Sequence, residues 1–219
     1  MTAIRAMLQQ AWETRQAFGQ EIGFSVPGVK RYHSACYTNR PFSFAHLSVT
    51  GEVCACLCAH CEGALLKNMI GAANPEAMRR TVDKLLKKGC RGILVSGGSD
   101  AGGAVPLQPF VEAIGYAKQR GLKILVHSGL IQREMAARLK EVGVDQVLMD
   151  VIGDEGTIRE VCHLNRKPDD YLQSMLYCRD AGLPIAPHIV IGLHFGQIRG
   201  EMRALEMIRE ADPETIVLV

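Results

Sequence analysis

Short aliphatic runs recur through most of this chain: HLSV (46–49), ILVS (93–96), ILVH (124–127), VLMD (147–150), HIVI (188–191) and IVLV (216–219). They are nearly continuous in apolar residues rather than alternating. That pattern marks strands buried on both faces, as in a parallel sheet. Between them lie segments with helical punctuation. Asn74-Pro75-Glu76 is an N-cap followed by proline at the first helical position, and that helix ends at Gly89. Pro109 opens the next, which ends at Gly121; Glu134 and Arg138 pair at i,i+4 on a third, which ends at Gly143. Pro168 opens a fourth, with Leu172, Met175 and Leu176 on one face and Gly182 beyond its end. A fifth carries Met202, Leu205 and Ile208 before Asp212-Pro213.

Repeated strand–helix units of this kind build one parallel sheet with right-handed crossovers. Six strands predict an α/β fold: a partial (β/α)6 barrel of the TIM type, short of a closed eight-stranded one. A doubly wound open sheet is the alternative, and strand patterning does not separate the two. The chain stops on a strand without its helix, which suggests that further residues follow Val219. Ahead of this core, residues 2–19 read as a helix, with Ile4, Met7, Leu8, Ala11, Trp12 and Phe18 near helical spacing. Residues 20–43, with Gly23, Pro27, Gly28 and Pro41, read as a connecting segment. The expected division is therefore 1–43, an N-terminal helical extension, and 44–219, the core.

Composition narrows the class. Of 219 residues, 47% are hydrophobic, enough for a continuous core, and only 5% are aromatic, so small aliphatics carry the burial. A net charge of +2 argues against a nucleic-acid or membrane-surface partner. No apolar run is long enough to span a bilayer, and the N-terminus lacks the apolar core of a signal peptide. These features lead to the expectation of a cytoplasmic protein. In that setting eight cysteines are not a disulfide framework, and ligation becomes the favoured reading.

Four of them crowd into GEVCACLCAHC, directly after the first run. Several triplets are available. Cys54, Cys58 and Cys61 form C-x3-C-x2-C, which leaves Cys56 spare. A structural zinc site would want a second cysteine or histidine pair further along, and none is present. Cys36 reads as an incidental thiol, and Cys90, Cys162 and Cys178 as packing residues.

In parallel α/β folds the active site lies at the carboxyl ends of the strands. There the chain places Ser96-Gly97-Gly98-Ser99-Asp100, then His127-Ser128-Gly129, then Asp150 with Asp154, and finally His188 leading into GLHFGQIRGE (192–201). Each has a purely structural alternative. Gly97-Gly98 can be a tight turn, or a place where backbone N–H groups approach a charged ligand. Asp100 can cap a local turn, and His127 and His188 can be satisfied core histidines. Asp150 ends an apolar strand and needs a partner, which favours function.

A C-x3-C-x2-C after the first strand, SVTG before it, SGGSD after the second and IVIGLHFGQIRGE at the fifth together resemble the radical S-adenosylmethionine (SAM) superfamily over about residues 44–219. The resemblance implies a [4Fe-4S] cluster held by Cys54, Cys58 and Cys61, with SAM chelating the open iron and yielding a 5′-deoxyadenosyl radical. It implies further that His60 stands near the adenine and that Gly97 and Gly98 receive the methionine amino group. Ser99 stands where a carboxylate is usual, and Asp100 would compensate. Ser128 and Asp150 fall in the ribose or carboxylate zone, and His188 and Gly192 lead into the adenine-lining turn. Within the superfamily, SVTG-x2-C-x3-C-x-HC, GILVSGGSD, VHSGLI and VLMDVIGD resemble biotin-synthase-related proteins, in particular one component of two-protein lipoyl synthases. The partners so implied are a second radical SAM protein, an octanoylated carrier protein or peptide, and a ferredoxin- or flavodoxin-type reductant. Sulfur insertion calls for a donor, commonly a second iron–sulfur cluster; Cys36, Cys56, Cys90, Cys162 and Cys178 form no second ligand motif. The alternatives are another radical SAM activity, biotin-synthase-like or rearranging, and a non-catalytic metal-binding scaffold.

Overall fold

The computed structural model describes residues 2–17, 33–38, 40 and 42–219. The connecting segment expected over 20–43 and the end of the first helix at 18–19 lie largely outside these. The elements run α1 (Thr2–Gln16), β1 (Phe44–Ser48), β2 (Ile70–Gly71), α2 (Pro75–Lys87), β3 (Gly92–Ser96), α3 (Val111–Gln119), β4 (Lys123–His127), α4 (Arg133–Glu141), β5 (Gln146–Asp150), α5 (Glu155–Glu160), α6 (Pro168–Asp180), β6 (Ile185–Ile189), α7 (Glu201–Ala211) and β7 (Val217–Leu218).

The strands form one parallel seven-stranded sheet in the order β2-β1-β3-β4-β5-β6-β7. From β3 onward each new strand adds on the same side of its predecessor. Right-handed crossovers in one direction keep the helices on one face, which distinguishes this TIM-type arrangement from a doubly wound sheet. The helices also pack on one another in sequence, α2 on α3, α4 on α6 and α6 on α7. The sheet does not close, and β2 and β7 remain its edges.

Register sorts the side chains onto two faces. Ala45, Leu47, Ile93, Val95, Ile124, Val126, Val147 and Met149 point outward to the helices and are no more than 3% exposed. Apart from Ala45, each such burial stabilises by about 1.5–3 kcal/mol relative to an exposed side chain. The inner face carries His46, Leu94, Leu125 and Gln146 in one row, then Ser96, His127 and Leu148, then Asp150 beside His188. Its leucines are only half-buried, so this face is a lined concavity rather than a second core.

The helix punctuation reads as expected: Asn74 Oδ1 accepts from the Ala77 N–H at 2.8 Å with Pro75 at the first position of α2. Two elements lacked a sequence signal, the two-residue β2 and the short α5. The fifth strand is shifted from 188–191 to Ile185–Ile189 and contains Pro187. The Val147 N–H donates to the Pro184 carbonyl and the Val151 N–H to that of His188. Even-numbered residues of β6 therefore bond β5, and the missing N–H of Pro187 falls on the other side. There β7 begins only at Val217, opposite His188. At the amino end of β5, Asp145 accepts from the Ile124 N–H at 2.7 Å and from Lys118 Nζ at 2.6 Å, tying α3, β4 and β5 together. Burial works against its charge, but these donors hold its carboxyl below the usual range.

Candidate active site

Between β1 and β2 the chain makes the cysteine-rich loop, and neighbouring loops fix it at several points. The Ala55 N–H donates to the Ser99 carbonyl at 2.8 Å, and the Ala59 N–H to that of Val161, also at 2.8 Å. His163 Nδ1 lies 2.8 Å from the Cys56 carbonyl oxygen. Gly98 packs directly on the loop: a Cβ there would lie 2.0 Å from the Val53 carbonyl oxygen and 2.6 Å from Cys54 Cβ, so no side chain fits. Leu57 (φ 42°) and Glu62 (φ 45°) take left-handed backbone conformations beside Cys58 and Cys61. Such conformations cost on the order of 1–2 kcal/mol each and persist only where the surroundings enforce them.

The four clustered thiols separate into two kinds. Cys56 is buried, and its Sγ donates to the Asp100 carbonyl at 3.4 Å. Burial pushes this thiol up to about 12, helped by the charges of Cys58, Cys54 and Asp100. Cys54, Cys58 and Cys61 are partly exposed. Cys58, whose Sγ lies 3.7 Å from the Cys162 carbonyl oxygen, is drawn down, chiefly by the Cys162 side chain, against the opposing effect of burial. The Cys162 thiol is raised by the same contact, and Cys61 is raised by burial.

The remaining sequence-predicted residues gather on the same rim. The Gly98 N–H donates to Thr50 Oγ1 at 2.7 Å, so it is not free for an incoming ligand. Of the two readings open for this turn, Gly98 shows the tight one, with a close approach to the cysteine loop. Asp100 Oδ1 accepts from the N–H groups of Gly102 (2.8 Å) and Ala104 (3.0 Å), the local capping role weighed above. Ser128 is buried and its hydroxyl donates to the Gly129 carbonyl at 2.9 Å. Gly192 (φ 74°) donates its N–H to Glu201 Oε1 at 2.9 Å, which pins the turn to the start of α7. Asp154 is an N-cap, accepting from the Thr157 N–H at 2.7 Å and pairing with Arg199 at 3.1 Å.

Asp150 and His188 come together with His127. His127 Nε2 lies 3.7 Å from Asp150 Oδ2, and the two imidazole rings stack with centroids 5.9 Å apart. Partial desolvation disfavours the charge on Asp150, half-exposed as its side chain is, but His127, His188 and the exposed His60 together hold its carboxyl below the usual range. Burial likewise opposes charge on His127, and Asp150 outweighs it, raising that imidazole; His188 is lowered, mainly by burial.

A family model for the radical SAM superfamily matches residues 48–208, from the last residue of β1 into α7. The chain belongs to the radical SAM superfamily. Solved structures agree on the fold. Methylornithine synthase superposes with a TM-score of 0.61 at 17% identity, over 80% of this chain and 52% of that one. HydG, a maturase of the [FeFe]-hydrogenase, gives 0.59 at 19%, over 80% and 42%. SuiB of Streptococcus suis bound to SAM gives 0.59 at 13%, over 80% and 40%. The chain therefore spans about half the length, or less, of these structures. No curated protein matches it. No helix among the described residues is long and apolar enough to cross a membrane.

The cofactors of the radical SAM superfamily are a [4Fe-4S] cluster and SAM. The donor chemistry fits them. Three partly exposed thiols flank a loop that its neighbours hold in place, and a glycine leaves room where a side chain would displace Cys54. A cube takes one thiolate per iron corner, so its ligands stand further apart than those of a single ion. Three participants carried no clear sequence signal. Thr50 and His163 act through single hydrogen bonds, and Cys162, whose side chain packs in the core as expected, also offers its main-chain carbonyl to Cys58 Sγ at 3.7 Å.

Proposed function

We propose that this protein holds a [4Fe-4S] cluster through Cys54, Cys58 and Cys61 and uses it to cleave SAM, abstracting hydrogen from a protein-bound octanoyl chain as one component of a sulfur-inserting lipoyl synthase. When bound, the cluster supplies the electron that splits the sulfonium into methionine and a 5′-deoxyadenosyl radical. The observation that supports the cluster assignment is the division of thiols, with Cys56 buried on the Asp100 carbonyl and its three neighbours partly exposed. His60, Gly97, Gly98, Ser99, Asp100, Ser128 and Gly192, with Asp150 and His188 on the same rim, are the proposed SAM-facing residues. For Gly98 the contact would be its carbonyl, since its N–H is engaged.

The substrate class draws support from the inner face. Leu94 and Leu125 lie opposite one another in register, and Leu148 stands opposite His127 one row higher; all three are half-buried. Such a floor suits an alkyl chain, at about 0.8 kcal/mol for each methylene removed from water. A sheet with two open edges would admit a carrier domain from the side. A second radical SAM protein, a ferredoxin- or flavodoxin-type reductant and a second iron–sulfur cluster as sulfur donor complete the proposal.

The test is to supply cluster-loaded protein with SAM, reductant, candidate partner proteins and an octanoylated carrier peptide, and to follow peptide mass. A gain in mass corresponding to added sulfur is the expected result. Production of 5′-deoxyadenosine without that gain on any octanoyl carrier would leave the superfamily chemistry standing and remove the lipoyl assignment.

A further inference from the structure

Among the described residues, one trio of side chains brings its donor atoms within 4.8 Å of one another: His127 from β4, Asp150 from β5 and His188 from β6. The trio crosses three neighbouring strands at their carboxyl ends, where the Val151 N–H to His188 carbonyl bond at 2.9 Å locks β5 to β6. The donors are therefore held by sheet rather than loop, which fixes their separation.

A self-sufficient hydrogen-bonded cluster would look different. His127 Nε2 and Asp150 Oδ2 stop at 3.7 Å, beyond a good hydrogen bond. His188 Nδ1 is sealed from solvent with no hydrogen-bond partner, an arrangement that costs about 1–3 kcal/mol. The two rings stack, and one nitrogen of each lies within 4.8 Å of a carboxylate oxygen of Asp150 and of the other ring's nitrogen. A cation seated between them satisfies all three donors at once.

The donor set selects the ion. Two imidazoles and one carboxylate suit borderline divalent ions such as zinc or iron(II), whereas calcium and magnesium take mainly oxygen ligands. Three protein ligands also leave coordination positions open, as in catalytic rather than structural sites. We propose that His127, Asp150 and His188 bind a single zinc-type divalent ion, separate from the cysteine triplet, whose open positions face the inner concavity and take an oxygen or nitrogen donor of the substrate. Asp150 and His188 then face the SAM side of the rim as ligands of the ion, which keeps the placement given to them in the proposed function.

Zinc would also occupy free thiolates, so the experiment reads a difference. Protein with its iron–sulfur cluster reconstituted anaerobically is freed of loose metal on a chelating resin. It is then dialysed against zinc chloride, and its iron and zinc are measured beside those of the His127→Gln/His188→Gln double variant. The expected result is one zinc per chain in the wild type that the double variant lacks, with equal iron in both. Equal zinc in the two proteins, zero included, overturns the proposal. If the double variant does not fold, Asp150→Asn decides: a loss of zinc affinity of tenfold or more supports the site, and unchanged affinity overturns it. Failure of the wild type to take up iron would count against the cluster proposal alone, because zinc held by the cysteines is common to wild type and variant.

Discussion

Asp145 and Asp150 stand at the two ends of the same strand and show how differently the sheet treats a carboxylate at each pole. At the amino end, Asp145 is closed off by a backbone N–H and a lysine, both within hydrogen-bond distance. At the carboxyl end, Asp150 faces two imidazoles, one with an unpartnered nitrogen, and half of its side chain meets solvent. Both carboxyls are held below their usual range. The first belongs to a finished interaction that fastens a helix to two strands; the second belongs to a group of ionisable side chains that do not satisfy one another. The amino pole spends its polar residues on stability, and the carboxyl pole leaves them available.

The largest effects should come from the carboxyl pole, with the fold intact. Replacement of Cys54, Cys58 or Cys61 by alanine should reduce iron after reconstitution to background, whereas Cys56→Ala should keep both iron and SAM cleavage. An inert Cys56→Ala protein would mean that the wrong three thiols have been chosen. Next is Gly98→Ala, whose added Cβ collides with the Val53 carbonyl and Cys54. Most of the cluster loading should be lost while far-UV circular dichroism is preserved. Normal iron content in this variant would show that the loop adjusts freely and that the close approach has no role.

Stability measurements invert the order of the poles. Asp145→Ala, which strips the Ile124 N–H and Lys118 of a charged acceptor, should cost about 2–3 kcal/mol in urea denaturation. Asp150→Ala should cost less than about 1 kcal/mol. Equal costs would erase the contrast. The smallest effect is in pH. Because Asp145 has its folded pKa below its unfolded one, its contribution is complete above the unfolded value and fades as pH falls through the folded one. The stability gap between wild type and Asp145→Ala should therefore be flat near neutrality and narrow below about pH 4. A gap that widens on acidification would contradict the sign.

Much of the architecture was legible because it rests on local rules. Buried parallel strands read as unbroken aliphatic runs, and Asn74-Pro75 and the glycines after helices mark their ends whatever the tertiary context. Strand β6 was misplaced because Pro187 interrupts the run, and its tolerance depends on β7 being too short to need its N–H. The cysteine spacing located the loop and its three candidate ligands. It carried no trace of how Cys56 is sequestered, since that depends on the Asp100 carbonyl, brought near only by folding. Cys162 contacts Cys58 across the fold, a separation that no spacing rule spans. The His127–Asp150–His188 trio was visible as three separate strand-end residues, and only the register of β4, β5 and β6 makes it a group.

The central claim is that the Cys54–Cys58–Cys61 rim supports reductive cleavage of SAM. It is tested most directly by reconstituting the protein anaerobically with iron and sulfide, reducing it in the presence of SAM and measuring 5′-deoxyadenosine by mass spectrometry. The expected result is a brown protein that yields 5′-deoxyadenosine in the wild type and none in Cys58→Ala. A wild-type protein that takes up the cluster yet never releases 5′-deoxyadenosine would contradict it.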